Sequence, residues 1–212
     1  MKKMKLFYKL CAMLLLCGCL YACAKTYEVM IDQETKDYCL FGQGSYWIYQ
    51  DSITFKIDSI FINDPIIHTL VENGGYDTWI WEDYYTRISL YSTDTVYNFS
   101  NQLSSKYADE KSLTPCILWS LNGAQYHNGA IGKDVYQLIY RNKKNNYLIN
   151  KTTFNDVKTF MHYYYASKPK ANQKEIYYWA KHIGLIREEI YVNDSIVSVR
   201  NLIRYNVKPY KP

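Results

Sequence analysis

Two pairs of neighbouring acids, Glu82-Asp83 and Glu188-Glu189, are of the type that hydrolytic chemistry uses. Glycoside hydrolysis needs a general acid and a second carboxylate facing the same bond. Neighbours on a strand point to opposite faces, however. The expectation is therefore solvent-facing acids, with an envelope hydrolase acting on glycans through its carboxylates as the alternative function. His68, His127, His162 and His182 show no H-x-H, H-E-x-x-H or Cys/His spacing, so neither a metal nor a cofactor is expected. His162 and His182 meet only if their strands are adjacent. Gly42-Gln43-Gly44 lacks the third glycine of a phosphate-cradling loop, and no Gly-x-Ser-x-Gly elbow occurs.

Aromatic residues carry the better binding signal. Trp79 with Trp81, Tyr163 with Tyr165, and Tyr177 with Trp179 are each two apart, so each pair shares one face of a strand. Exposed rings in a row stack on sugars or line a lipid-accepting concavity. The competing reading is that such a row is simply the core, and the burial of Trp79, Trp81 and Trp179 decides between them.

Four of the six cysteines (Cys11, Cys17, Cys19 and Cys23) fall within the first 23 residues. They sit in an almost uncharged run, Leu10 to Ala24, behind Lys2, Lys3, Lys5 and Lys9. A basic start followed by a short apolar stretch is the layout of a secretory signal, too short for a comfortable membrane span. The run ends twice in Leu, a variable residue, a small residue and Cys: Leu16-Cys17-Gly18-Cys19 and Leu20-Tyr21-Ala22-Cys23. Both resemble the lipobox of bacterial lipoproteins, whose cysteine is acylated and becomes the mature N-terminus. Cleavage before Cys23 leaves the more ordinary apolar length and an even number of cysteines, Cys39 and Cys116, which can form a disulfide. Cys19 is the alternative. The resemblance implies attachment to a membrane through acyl chains. Ala24, in place of the aspartate that retains lipoproteins at the inner membrane, implies the outer membrane. The absence of an acidic run in AKTYEV implies an anchor facing the periplasm.

Removing residues 1–22 takes four lysines with it, and the formal charge falls from +5 to +1. Without a basic stripe the chain lacks the footprint of a nucleic-acid binder. The remaining residues suit a single domain. The 24 tyrosines of the whole chain, with many Trp, Ile, Val and Thr, favour a pleated and half-buried surface. The expected fold is mainly β: one antiparallel sheet curled into an open or half barrel, with little helix. Residues 23–38 read as a polar tether and residues 39–212 as the β-rich domain.

Within that domain, GSYWIYQ and ITFKIDSIFI read as strands joined at Asp51-Ser52, with a bulge expected at Ser59. Thr78–Phe99 reads as two strands meeting at Ser92-Thr93-Asp94. YVNDSIVSV reads as a hairpin tipped by Asn193-Asp194. The aromatic run within residues 155–166 is assigned to a strand over a helix. GSYWIYQDSITFKIDSIFI and EIYYWAKHIGLIREEIYVNDSIVSVRNLIRYNV resemble the opening and closing hairpins of small Bacteroidetes lipoproteins of unknown function, with G-x-x-W-x-Y and A-K-x-I-G-L-I cores. The resemblance implies a half-open antiparallel barrel and a cell-envelope location, without a chemistry. His182 stands where that pattern usually has Gly. Ser52, Ser59, Thr95 and Ser195, each after an aspartate and before an aliphatic residue, resemble O-glycosylation sites of the same lineage. The function expected is that of a non-enzymatic binding or structural module, whose partner is a glycan, a lipid or an envelope protein.

Overall fold

The computed structural model describes residues 25–74, 77–92, 95–104, 118–119, 125–126, 137–163 and 173–211. Strand β1 (Thr26–Val29) leads into helix α1 (Gln33–Cys39), then β2 (Tyr46–Asp51), β3 (Ile57–Ile62), β4 (Ile67–Asn73), β5 (Thr78–Ser92) and β6 (Thr95–Ser104). After the short strands β7 (Leu118–Trp119) and β8 (Gln125–Tyr126) come β9 (Gln137–Lys144), β10 (Tyr147–Ile149), β11 (Thr152–Phe154) and β12 (Val157–Tyr163). β13 (Gln173–Ala180), β14 (Gly184–Val192) and β15 (Ser195–Asn206) close the chain.

Eleven of these strands form one sheet in the order β1-β5-β3-β2-β15-β14-β13-β12-β9, with β4 and β6 also paired to β5. At 15 residues, β5 is long enough to hold four partners. One edge carries β3 along 88–91 and β4 along 79–85, and the other carries β6 along 83–92 and the parallel β1 along 78–81. Four of the five consecutive pairings from β9–β12 to β15–β2 carry a register shift, at Thr159/Phe160, Tyr178/Trp179, Ile190/Tyr191 and Leu202/Arg204; β12–β13 does not. Each extra residue bends its strand and adds twist, which is how a sheet this wide curls. Among the described residues its ends stay unpaired. The mainly β, open and curled fold is as expected, and residues 157–163 are strand.

The concave face carries the core. Burial alternates along β2 and β3, so that Trp47, Tyr49 and Asp51 face Asp58, Ile60 and Ile62. Trp47, Tyr49, Ile60, Trp179, Leu185 and Ile186 are fully buried. At 150–250 Å² per aromatic side chain, each tryptophan contributes at most roughly 4–6 kcal/mol by area.

Two expectations change. Residues 26–38 are no tether: β1 pairs with β5, and Ile31 and Tyr38 are buried in the core. The polar residues that suggest a tether dock α1 instead. Asp32 caps it through the Thr35 N–H at 2.7 Å, Glu34 meets Lys158 at 3.0 Å, and Asp37 meets Lys181 at 3.2 Å. Second, Ser59 makes no bulge, because β2 and β3 pair without a register shift. Ile53 and Phe55 lie instead in a turn, where Asp51 Oδ1 accepts the Ile53 and Thr54 N–H groups at 2.7 and 2.8 Å. The strands beside the two histidines are adjacent, but His162 pairs in register with Glu175 and His182 follows the far end of β13, so the two do not meet.

The hairpin at Asn193-Asp194 is present, with both residues at positive φ as a type I′ turn requires. In the preceding turn His182 adopts φ 61° where the related pattern has Gly, and Gly184 adopts φ 95°. A Cβ on Gly184 would sit 3.0 Å from Phe41 Cε2. Gly184→Ala is expected to lower stability by about 1–2 kcal/mol from backbone strain alone, and His182→Gly to raise it. Urea denaturation midpoints measure both, and an unchanged midpoint for Gly184→Ala would refute this account of the turn.

Candidate functional site

The helical period places Gln33, Lys36, Asp37 and Leu40 on one side of α1 and just beyond it, and together they form one wall of a groove of about 660 Å³. The other walls are Phe41, His68, Tyr84, His182 and the C-terminal segment Val207, Pro209 and Tyr210. His68 and Tyr84 face each other across β4 and β5, and their rings stack at 4.5 Å and 14°. Tyr210 meets Tyr84 edge-on at 5.5 Å. The C-terminal segment is held by a bridge between Phe41 and Pro209.

Glu82 lies beneath this groove. It shares a face of β5 with Tyr84, and its carboxylate accepts four donors. Oε1 takes Lys36 Nζ at 2.9 Å, His68 Nε2 at 3.1 Å and the Tyr84 hydroxyl, and Oε2 takes the Ile31 N–H at 3.0 Å. Burial opposes ionisation of Glu82, but the hydrogen bonds from Tyr84, Lys36 and Ile31 outweigh it and hold the carboxyl below its ordinary value. The same contact, after burial, pushes the Tyr84 hydroxyl well up. Glu82 is thus a fixed anion that orients one lysine, one imidazole and one phenol towards the groove.

A second polar cluster occupies the far part of the concave face. Arg200 donates from Nη1 to Glu188 Oε2 at 2.9 Å and from Nε to Asp58 Oδ2 at 3.2 Å. Asp51 is adjacent, in register with Arg200, and accepts the Ser198 hydroxyl. On the next strand Tyr177 faces Glu188 and donates to Glu175. Glu188 Oε1 is buried without a hydrogen-bond partner. Burial, helped by the Glu175 and Asp58 charges against the pull of Arg200, raises the Glu188 carboxyl to about 7.

The expectation of solvent-facing acids is therefore wrong: Glu82, Asp83, Glu188 and Glu189 are all buried. Successive acids do point to opposite faces, but both faces are covered. Glu189 and Asp83 occupy the outer face, where Arg187 and Tyr191 donate to Glu189 at 2.7 and 2.9 Å and Tyr85 donates to Asp83 at 2.8 Å. Over that face Tyr147 from the β10–β11 hairpin stacks on Tyr178 at 5.0 Å.

The aromatic pairs divide. Tyr177 and Trp179 are core, which removes them from any binding face. Trp79 is exposed and stacks on Tyr27, and Trp81 is half-buried. The Tyr163 side chain and Tyr165 lie outside the described residues, as do Cys19, Cys23, Cys116, His127 and the side chains of His162 and Thr95. Cys39 is buried at the end of α1. Ser52 and Ser195 are exposed beside turns, whereas Ser59 is half-buried within β3. Among the described residues no group of three or more His, Cys, Asp or Glu is placed to hold a metal. The donors around Glu82 carry no sequence signal, because Lys36, His68 and Tyr84 come from three separate elements.

No family model and no curated protein matches the chain. Two solved structures match over most of their length, both from Bacteroidetes. A protein assigned as exported, with a YmcC-like fold, from Bacteroides fragilis is 11% identical and has a TM-score of 0.41, covering 80% of this chain and 98% of its own. A protein assigned as a lipoprotein from Parabacteroides distasonis is 10% identical with a TM-score of 0.43, covering 79% of this chain and 99% of its own. At such scores neither likeness carries an argument about what this chain does.

Two outcomes test the buried cluster. Arg200→Met leaves Glu188 and Asp58 without their cation, and breaking a buried ion pair in this way is expected to cost roughly 3–5 kcal/mol in a urea melt. For Glu188, a folded value of about 7 against an ordinary 4.5 means that the native state keeps a proton the unfolded chain has released. The Glu188 contribution to stability accordingly falls as pH climbs from 4.5 to about 7. Glu188→Gln cannot ionise and should flatten that stretch of the stability curve. An equal slope in both proteins would mean that Glu188 titrates normally.

Proposed function

We propose that this chain is a cell-envelope lipoprotein, held by acyl chains on Cys23 with Cys19 the alternative, and that its β domain is a non-enzymatic binding or structural module. The basic start, the short apolar run and the Leu-x-small-Cys ending support the anchor. Ala24 and the absence of an acidic run after it favour an outer-membrane anchor with the domain facing the periplasm. Ser52 and Ser195 are the exposed candidates for O-glycosylation.

The observation that carries the non-enzymatic reading is how the carboxylates are used. A glycoside hydrolase needs an acid that gives up its proton at the substrate. Glu82, the carboxylate beneath the groove, is held below its ordinary value, against burial, by hydrogen bonds from Tyr84, Lys36 and the Ile31 N–H. Glu188, whose raised value would suit an acid, is fully buried against Arg200 and has no exposed atom to offer a substrate.

The groove beside α1 is the recognition surface of this reading. Its volume falls within the 300–1,000 Å³ range of small-ligand sites. Leu40, Phe41, Val207 and Pro209 supply apolar walls, Tyr84 and Tyr210 supply rings, and Lys36 and His182 supply donors. A glycan or a lipid headgroup suits that mixture, and an envelope protein can present the same groups.

The anchor is tested by the intact mass of the protein extracted from its native envelope. The expected mass is that of residues 23–212 plus acyl chains. A chain starting at residue 19 would select the alternative cysteine, and a mass without lipid would overturn the anchor.

A further inference from the structure

The sheet begins so early that almost no leash separates it from the proposed anchor. Lys25 is already fixed: its N–H donates to Asp77 Oδ1 at 3.0 Å, and its carbonyl accepts the Thr78 N–H at 2.8 Å. Cys23 is only two residues earlier. At about 3.8 Å per trans peptide, the two Cα atoms are within roughly 8 Å of each other. Whatever surface surrounds Lys25 is therefore kept at the membrane.

That surface has a distinct composition. Tyr27 and Trp79 are register partners on β1 and β5, and their rings stack at 4.5 Å and 18°. They are 36% and 46% exposed, at the starts of their strands. Val29, Val71 and Trp81 are register partners that continue the same face, half-buried. Glu28 and Glu72, both exposed, pair with Ile80 and so point to the opposite face. These two glutamates are turned away from the rings, and Asp83, further along the rings' face of β5, is buried and accepts the Tyr85 hydroxyl.

We infer that this face of β1, β4 and β5 docks on the bilayer that holds the anchor, with the stacked Tyr27–Trp79 pair in the headgroup layer beside Lys25. Tyrosine and tryptophan have an apolar body and a polar tip, which suits them to that depth. A lysine next to them is attracted to anionic lipid. The consequence is an orientation. Glu82 and Tyr84 lie on the opposite face of β5 from Trp79 and Trp81, so docking turns the groove away from the membrane. The inference rests on the Cys23 anchor. From Cys19 the leash grows to six residues, up to roughly 20 Å when extended, and the domain swings free.

The test uses the full acylated protein in vesicles of phosphatidylethanolamine and phosphatidylglycerol that contain brominated lipid. Bromine quenches tryptophan only within the bilayer or at its edge. Docking predicts a quenched component that is present in the wild type and reduced in Trp79→Phe, a substitution that keeps an aromatic ring and the fold. Acylated protein that floats with the vesicles but shows no such component overturns docking and leaves the anchor intact. An extracted protein whose mass shows no acyl chain overturns both. Trp79 emission that responds to soluble oligosaccharide and not to brominated lipid overturns docking in favour of a sugar platform.

Discussion

The centre of the sheet depends on one guanidinium. Arg200 lies on β15, and its fork reaches Glu188 on β14 and Asp58 on β3, while Asp51 on β2 stands in register beside it. A planar group with several fixed donors suits carboxylates on both sides at once, whereas a lysine ammonium is a compact charge with no fixed fork. Moving these groups out of water is costly, and a core of hydrocarbon could be as stable. What the network adds is register. A slip of one residue in β15 would carry Arg200 to the outer face and leave several acids buried without a cation.

The same logic operates at the other end of the concave face with different partners. Glu82 collects a lysine from α1, a histidine from β4, a tyrosine from its own strand and a backbone N–H from the segment before α1. The helix is too short to be stable alone. Its position comes from these contacts, from the pairs Glu34–Lys158 and Asp37–Lys181, and from the burial of Ile31 and Tyr38. The surface pairs are individually weak. The groove is thus a by-product of how the helix is docked, and its lining is fixed by the core beneath it.

Both clusters lie along strands that also carry the largest buried rings, so polar and apolar packing are not separate compartments. Tyr49 donates to the Leu185 carbonyl at 2.8 Å while its ring fills the core, and the nearby Glu188, after burial, keeps its hydroxyl protonated. The high tyrosine content has this use: a buried phenol packs like phenylalanine and still satisfies a backbone or carboxylate acceptor. Tyr177 with Glu175, Tyr85 with Asp83 and Tyr191 with Glu189 repeat the arrangement, each between residues two apart on one strand.

Residue types and periodicity alone determined the fold class, the hairpin at Asn193-Asp194 and the strands either side of residues 93–94. Each depends on neighbours within a few positions, so the pattern is local. Only the tertiary structure decided that residues 26–38 belong to the domain. β1 is four residues long, and the first bond it relies on crosses 52 positions to Asp77. A stretch so short and polar has no pattern of its own to display. Burial of the acid pairs was decided in the same way. Charge reads as solvent-facing until a cation is supplied, and here the cations come from other strands or from the helix. The aromatic pairs were equally ambiguous: Tyr177–Trp179 and Trp79–Trp81 have the same spacing, and which became core depended on which strand the sheet curled around.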